Sequence, residues 1–108
     1  MSDFQTAEEF RPHLNTAFRL QVNAPKPIDL TLVGVESRPV DPSEEAGMER
    51  FSVYFLGSPE FLLPQNTYRL THPEMGEFDL FLVAIGQESG GYRYEAVYNY
   101  YKPQGAAS

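Results

Sequence analysis

Residues 71–86, THPEMGEFDLFLVAIG, join a turn to an apolar run, and this junction decides the fold. Pro73 fixes its own φ, and Gly76 tolerates a positive φ, so both residues favour a tight turn. We expect His72 to form hydrogen bonds within the same turn. His72, Pro73 and Gly76 are therefore interpreted as structural residues that begin a strand.

The run that follows, EFDLFLVAI (77–85), predicts a strand with two apolar faces. Alternation with a period of two places Phe78, Leu80, Leu82 and Ala84 on one face and Asp79, Phe81, Val83 and Ile85 on the other. Beyond Asp79 both faces are apolar, which is typical of a strand that is covered on both sides. We expect the N-terminal helix or a partner protein to cover the second face.

The N-terminal segment predicts one short helix. Thr6 and Glu9 have the spacing of a capping box, and Phe10 and Leu14 are spaced to share a face. Pro12 limits the helix to a few turns at most.

Five further runs alternate with a period of two and predict strands: AFRLQVN (17–23), IDLTLVGV (28–35), RFSVYFLG (50–57), TYRL (67–70) and YRYEAVYNYY (92–101). Short connections favour antiparallel neighbours, because a parallel crossover needs a dozen or more residues. The sequence therefore predicts a mostly β, antiparallel meander of about six strands. The sheet forms a small barrel or a two-layer sandwich, with the N-terminal helix packed on it.

The length of 108 residues fits a single β-domain spanning 1–108. Within it we expect a helical segment at 1–16, a β-sheet core at 17–101 and a polar tail at 102–108. Cysteine is absent, which excludes disulfides, a thiolate nucleophile and Cys-ligated metals.

The charge of the chain argues against binding to phosphate groups. The net charge is −7, and the eight Lys and Arg residues are spread along the sequence. This distribution disfavours nucleic acid and anionic lipid surfaces. No run reaches the roughly 18 apolar residues of a membrane-spanning helix, and the first residues do not resemble a secretory signal. We expect an acidic protein without nucleic-acid or membrane partners, and a cytoplasmic location.

Two groups of ionisable residues could carry chemistry. His72 with Glu74 and Glu77 offers nitrogen and oxygen ligands for a metal, but these residues lie on a short turn without a second nearby histidine. Glu77 and Asp79 share a strand face and could perform acid/base work, provided that a cleft surrounds them. The sequence favours a structural turn and a solvated strand end over a metal site or a hydrolase.

Other catalytic motifs are missing. No serine lies in a Gly-x-Ser-x-Gly elbow. The run GQESGGYRYE (86–95) lacks the Lys-Ser/Thr of a phosphate loop and predicts a hairpin turn. We therefore expect a protein that is not an enzyme and that uses no cofactor.

Tyrosines crowd the last predicted strand. They could pack against neighbouring strands, or they could form an interface, since tyrosine combines a large rigid ring with a polar tip. We interpret Tyr98, Tyr100 and Tyr101 as interface residues. In SPEFLLPQN (58–66), the apolar triad Phe61, Leu62 and Leu63 either closes a barrel end or docks onto a partner. Both segments suggest a protein partner or self-association into an oligomer.

Three motifs carry a resemblance to a family: Tyr-x-Leu-x-His-Pro at 68–73, Gly-x-Phe-x-Leu-Phe-Leu at 76–82 and Glu-Ala-Val-Tyr-Asn at 95–99. Nearly the whole chain resembles an uncharacterised bacterial family of domains of unknown function. The resemblance implies an association with phage-tail-like proteins. We therefore expect a non-enzymatic structural or protein-interaction domain. The alternative is a small β-barrel that binds an apolar ligand, followed by a hydrolase or a metal-binding protein.

Overall fold

The computed structural model describes residues 5–22, 27–37, 48–88 and 90–101, with the backbone alone at residues 48, 49, 100 and 101. A short helix, α1 (Ala7–Phe10), continues into a 3-10 turn at Arg11–His13. The strands are β1 (Ala17–Leu20), β2 (Ile28–Ser37), β3 (Met48–Gly57), β4 (Asn66–His72), β5 (Gly76–Glu88) and β6 (Gly91–Tyr101). These elements confirm the mostly β class with six strands and one short N-terminal helix.

The strands form a closed barrel in the order β1-β2-β3-β6-β5-β4, and all neighbours are antiparallel. The structure thus selects the barrel over the sandwich. The strand order departs from a simple meander at one connection, because β3 pairs with β6 and β4 closes the barrel against β1. Leu63, in the link between β3 and β4, is only 8% exposed and packs against the core of the barrel.

The barrel interior is filled by side chains that alternate along each strand. The largest fully buried side chains are Phe10, Phe18, Leu30, Leu32, Phe51, Val53, Phe55, Leu70, Leu82 and Tyr94. Such a row of aromatic and branched residues is the usual content of a small barrel. The strands therefore bury their apolar faces against one another across the barrel axis.

Helix α1 covers one end of the barrel. Its N-terminus has the predicted capping box, in which Thr6 and Glu9 each accept a hydrogen bond from the other's backbone N–H. Phe10 is fully buried, whereas Leu14 is 37% exposed because the 3-10 turn rotates it away from the helix face. The predicted shared face of Phe10 and Leu14 is therefore wrong. Among the described residues, no helix is both long and apolar enough to cross a membrane.

Strand β5 pairs with β4 along its first half and with β6 along its second half. Leu82 still pairs with Asn66 of β4, whereas Val83 pairs with Glu95 of β6. On the outer face of β5, Phe81 is 49% exposed and Ile85 is 46% exposed. The N-terminal helix does not cover this face, because Phe10 contacts the inner face of β5, so one of the two predicted covers is wrong.

Candidate interaction surface and the histidine cluster

His72 lies inside the barrel at the turn between β4 and β5, and it is only 5% exposed. Its Nδ1 accepts hydrogen bonds from the backbone N–H groups of Glu74 at 3.1 Å and Met75 at 3.3 Å. Gly76 completes the turn with a φ of +84°, a conformation that glycine adopts without strain. The imidazole therefore takes part in the hydrogen bonding of the turn, and its Nδ1 carries no proton.

The other ring nitrogen of His72 joins the turn to the N-terminal segment. Nε2 lies 3.1 Å from Oγ1 of Thr16, and this hydroxyl donates to the backbone carbonyl of His13 at 2.5 Å. Because the hydroxyl proton is already used, Nε2–H of His72 is the donor to Oγ1. The contacts thus define a neutral imidazole with its proton on Nε2.

Two rings flank the imidazole of His72. Its centroid is 4.4 Å from that of Phe18 and 4.5 Å from that of His13. Burial lowers the pKa of His72, the charge of His13 lowers it further, and Glu74 partly opposes both effects. The site therefore favours the uncharged ring.

The hypothetical metal ligands do not converge. Both nitrogens of His72 are engaged in hydrogen bonds, and the side chain of Glu74 is 75% exposed. Glu77 lies on the outer face of the barrel, where it accepts a hydrogen bond from Gln21. Within the described ranges, no group of three or more His, Asp or Glu side chains is arranged to hold a metal ion.

Glu77 and Asp79, the possible acid/base pair, both lie close to the guanidinium of Arg69. Nε of Arg69 donates to Asp79 at 2.9 Å, and Nη1 of the same guanidinium lies 3.9 Å from Glu77. The hydrogen bond from Arg69 lowers the pKa of Asp79, so this carboxylate is a poor proton donor near neutral pH. His72 faces the interior while Glu77 and Asp79 face solvent, so the barrel wall separates the three candidate catalytic residues.

Tyr98 belongs to the core, and its interpretation as a contact residue is corrected. It is 8% exposed, and its ring stacks on Phe51 with a centroid distance of 4.4 Å. Its hydroxyl lies 3.0 Å from Oε1 of Gln5 and donates to it. The parity of β6 directs Tyr94, Ala96 and Tyr98 inward together. Tyr100 and Tyr101 lie in β6, but their side chains are outside the described part of the chain.

The apolar triad of the β3–β4 link divides into a buried and an exposed part. Leu63 is buried, and its backbone N–H donates to the hydroxyl of Tyr94 at 2.9 Å. Phe61 and Leu62 are 38% and 54% exposed. The link is thus fixed to the barrel at Leu63 and presents the two preceding side chains to solvent.

Val97 is an exposed apolar residue that the sequence analysis did not single out. It is 59% exposed, more than the other exposed large apolar side chains of the described residues. Alternation in the sequence places Val97 on the face opposite Ala96 and Tyr98, but it does not say which of the two faces is outside. We call Phe81, Ile85 and Val97 the outer strip, since all three lie on the outside of β5 and β6. Ile85 is exposed at a bulge between Ala84 and Gly86.

An open groove of about 540 Å³ lies along β1, but its charges are already paired. Arg19 binds Asp29 with contacts of 2.8 Å and 3.2 Å. The remaining lining residues are Ala17, Leu20, Gln21, Thr71 and Pro73. The groove therefore presents a neutral ion pair rather than an uncompensated charge to a ligand.

Comparison with known proteins identifies a family. The sequence profile of the domain of unknown function DUF6916 matches residues 5–98. No curated protein and no solved structure matches the chain. The matched range includes β1 to β5, His13, His72 and most of β6. The chain therefore belongs to the DUF6916 family.

Proposed function

We propose that this domain is a non-enzymatic structural or protein-interaction module that contributes to a larger assembly. The observation that carries the proposal is the exposure of large apolar side chains: the outer strip on β5 and β6, and Phe61 and Leu62 in the β3–β4 link, are 38–59% exposed. Large apolar side chains that are exposed to solvent favour burial by a partner. Both surfaces are proposed as contact regions.

The chemistry of the partner follows from the charge of the domain. With a net charge of −7, the domain disfavours polyanions such as nucleic acids and suits a neutral or basic protein surface. The resemblance noted above suggests a phage-tail-like particle as the assembly, and we include that association and a bacterial, cytoplasmic setting in the proposal.

The arrangement of the ionisable groups supports a role without catalysis. Acid/base chemistry needs its groups within hydrogen-bond reach of one reacting position. Here His72 forms hydrogen bonds with backbone N–H groups and the Thr16 hydroxyl inside the barrel. Asp79 accepts a hydrogen bond from Arg69 on the outside of the barrel. The alternative role, an apolar ligand within the barrel, has less support because aromatic and aliphatic side chains already occupy the interior.

The proposal is tested with charges placed in the outer strip. The double variant Phe81→Lys, Val97→Lys should abolish self-association in sedimentation velocity or the retention of a defined partner in affinity purification. Its melting temperature should change little, because both side chains are largely exposed. Leu14→Lys is the matched control, since Leu14 is an exposed apolar residue outside β5 and β6.

Two results would contradict the proposal. One is a wild-type protein that neither self-associates nor retains a partner at high concentration. The other is a wild-type level of association in the Phe81→Lys, Val97→Lys variant and in a Phe61→Ser, Leu62→Ser variant.

A further inference from the structure

The N-terminal segment, residues 5–16, is held on the barrel by the buried side chains of Ala7 and Phe10, by two backbone hydrogen bonds with Leu32 and by side-chain hydrogen bonds. Phe10 enters an aromatic cage formed by Phe18, Phe51, Phe78 and Tyr98, with ring centroids 5.8–6.2 Å from its own. Polar contacts outside the cage join Gln5 to Tyr98 and Arg11 to Ser37. A four-residue helix is too short to be stable alone, so these contacts determine whether the segment stays in place.

His72 is the buried polar contact that joins this segment to the β4–β5 turn. It accepts at Nδ1 from the turn, and it donates from Nε2 to Thr16. Thr16 in turn fixes the carbonyl of His13, where the 3-10 turn ends. One imidazole thus contacts the segment through Nε2–H, which remains a donor when the ring is charged, and closes the β4–β5 turn through Nδ1 only while Nδ1 carries no proton.

The groups that face His72 determine what a second proton would do. His13 approaches from the 3-10 turn, and Glu74 approaches from the β4–β5 turn, with its Oε1 3.6 Å from Nδ1 of His13. Phe18 of β1 and Thr16 are the uncharged neighbours. In the described part of the chain, the carboxylate that faces the two imidazoles is therefore the largely exposed Glu74.

We propose that the His13–His72 pair is an acid-sensitive latch that holds the N-terminal segment on the barrel at neutral pH and releases it on acidification. A proton on Nδ1 would oppose the N–H groups of Glu74 and Met75, so the turn loses both hydrogen bonds. It would also place a cation beside His13 in a nearly buried position. Release removes Phe10 from the aromatic cage and opens the cage to an aromatic or branched apolar side chain of another molecule.

Hydrogen exchange of the full chain tests the latch, independently of the proposed contact surfaces. Protection is compared at about pH 7.5 and about pH 5.5, after correction for the intrinsic pH dependence of exchange. The informative amides belong to Asn15 and Thr16, which donate to Leu32 and His13. We expect their protection to fall at least ten-fold on acidification, and that of the β3–β6 ladder to fall less. Addition of a phenol probe at about pH 5.5 should lower this protection further, because a ligand in the vacated cage stabilises the released state.

A non-titrating variant provides the control. In His72→Asn, Oδ1 replaces Nδ1 as the acceptor of the turn, and the Nε2–H donor to Thr16 is lost at every pH, so protection of the segment should be lower than in the wild type but should not depend on pH over this range. Equal protection of the wild type at both pH values, or a wild-type response in His72→Asn, would overturn the proposal. If that variant does not fold, the titration of the His72 ring by NMR in the wild type decides. Opening of the segment that coincides with protonation of His72 supports the latch, and protonation without opening overturns it.

Discussion

The hydroxyl oxygen of Tyr94 accepts a hydrogen bond of 2.9 Å from the backbone N–H of Leu63. Tyr94 lies in the barrel wall and is 1% exposed, whereas Leu63 belongs to the β3–β4 link. The bond therefore fixes the connection that distinguishes this barrel from a simple meander.

Removal of this hydroxyl should destabilise the fold. Tyr94→Phe leaves the buried N–H of Leu63 without its acceptor, and we expect the free energy of unfolding to fall by about 1–3 kcal/mol. Tyr68→Phe is the control, because its hydroxyl donates to the carbonyl of Pro64 at 2.6 Å in a less buried position. There we expect a loss of about 0.5–1.5 kcal/mol in urea unfolding. A loss at Tyr94 no larger than that at Tyr68 would contradict the assigned role.

Truncation of Phe10 tests the contribution of the aromatic cage. Phe10→Ala leaves a cavity among four rings, so the free energy of unfolding should fall by about 3–5 kcal/mol. Leu14→Ala, in the same segment but 37% exposed, should change it by less than about 0.5 kcal/mol. Similar urea midpoints for both variants would show that Phe10 does not stabilise the barrel end.

Two glycines near the β5–β6 hairpin should differ in their tolerance of alanine. Gly91 has a φ of +143°, and a Cβ there would lie 1.7 Å from the carbonyl oxygen of Gly57. We expect Gly91→Ala to cost more than about 1 kcal/mol, since both the backbone and its neighbour must move. A Cβ at Gly86 meets no atom within 4 Å, so Gly86→Ala should be nearly neutral in thermal unfolding. Equal melting temperatures would contradict this account.

The stability of the whole chain should depend on pH through His72. Its pKa is lowered in the folded state, so the unfolded chain binds more protons below the ordinary histidine value of about 6.5. The free energy of unfolding therefore has its full His72 contribution above about pH 6.5 and decreases as the pH falls from there toward the lower, folded-state pKa. Urea unfolding between about pH 7.5 and 5.5 measures the slope. The slope should decrease in His72→Asn, and an unchanged slope would assign it to other groups.

Local patterns predicted the elements but not all of their partners. The capping box of Thr6 and Glu9 and the alternation of β5 are local features, and the structure shows both. The pairing of β3 with β6 instead depends on contacts between distant segments and on the burial of Leu63, which no local period encodes. The change of partner at Val83 has the same origin.

The candidate surface shows a similar division. The period of two placed Tyr98 and Val97 on opposite faces, but only barrel closure determines which face is inside. The concentration of tyrosines in β6 favoured the wrong face at Tyr98, because tyrosine is common both in cores and at interfaces. The contact between His13 and His72 joins residues far apart in sequence and required the three-dimensional fold.

Closure of the barrel by β1 and β4 has a kinetic consequence. The two strands pair Leu20 with Leu70, 50 positions later in the chain. During synthesis, one edge of β1 therefore stays unpaired until β4 has left the ribosome. The folding rate should be limited by this distant pairing, and substitutions in β1 should therefore change the folding rate more than the unfolding rate.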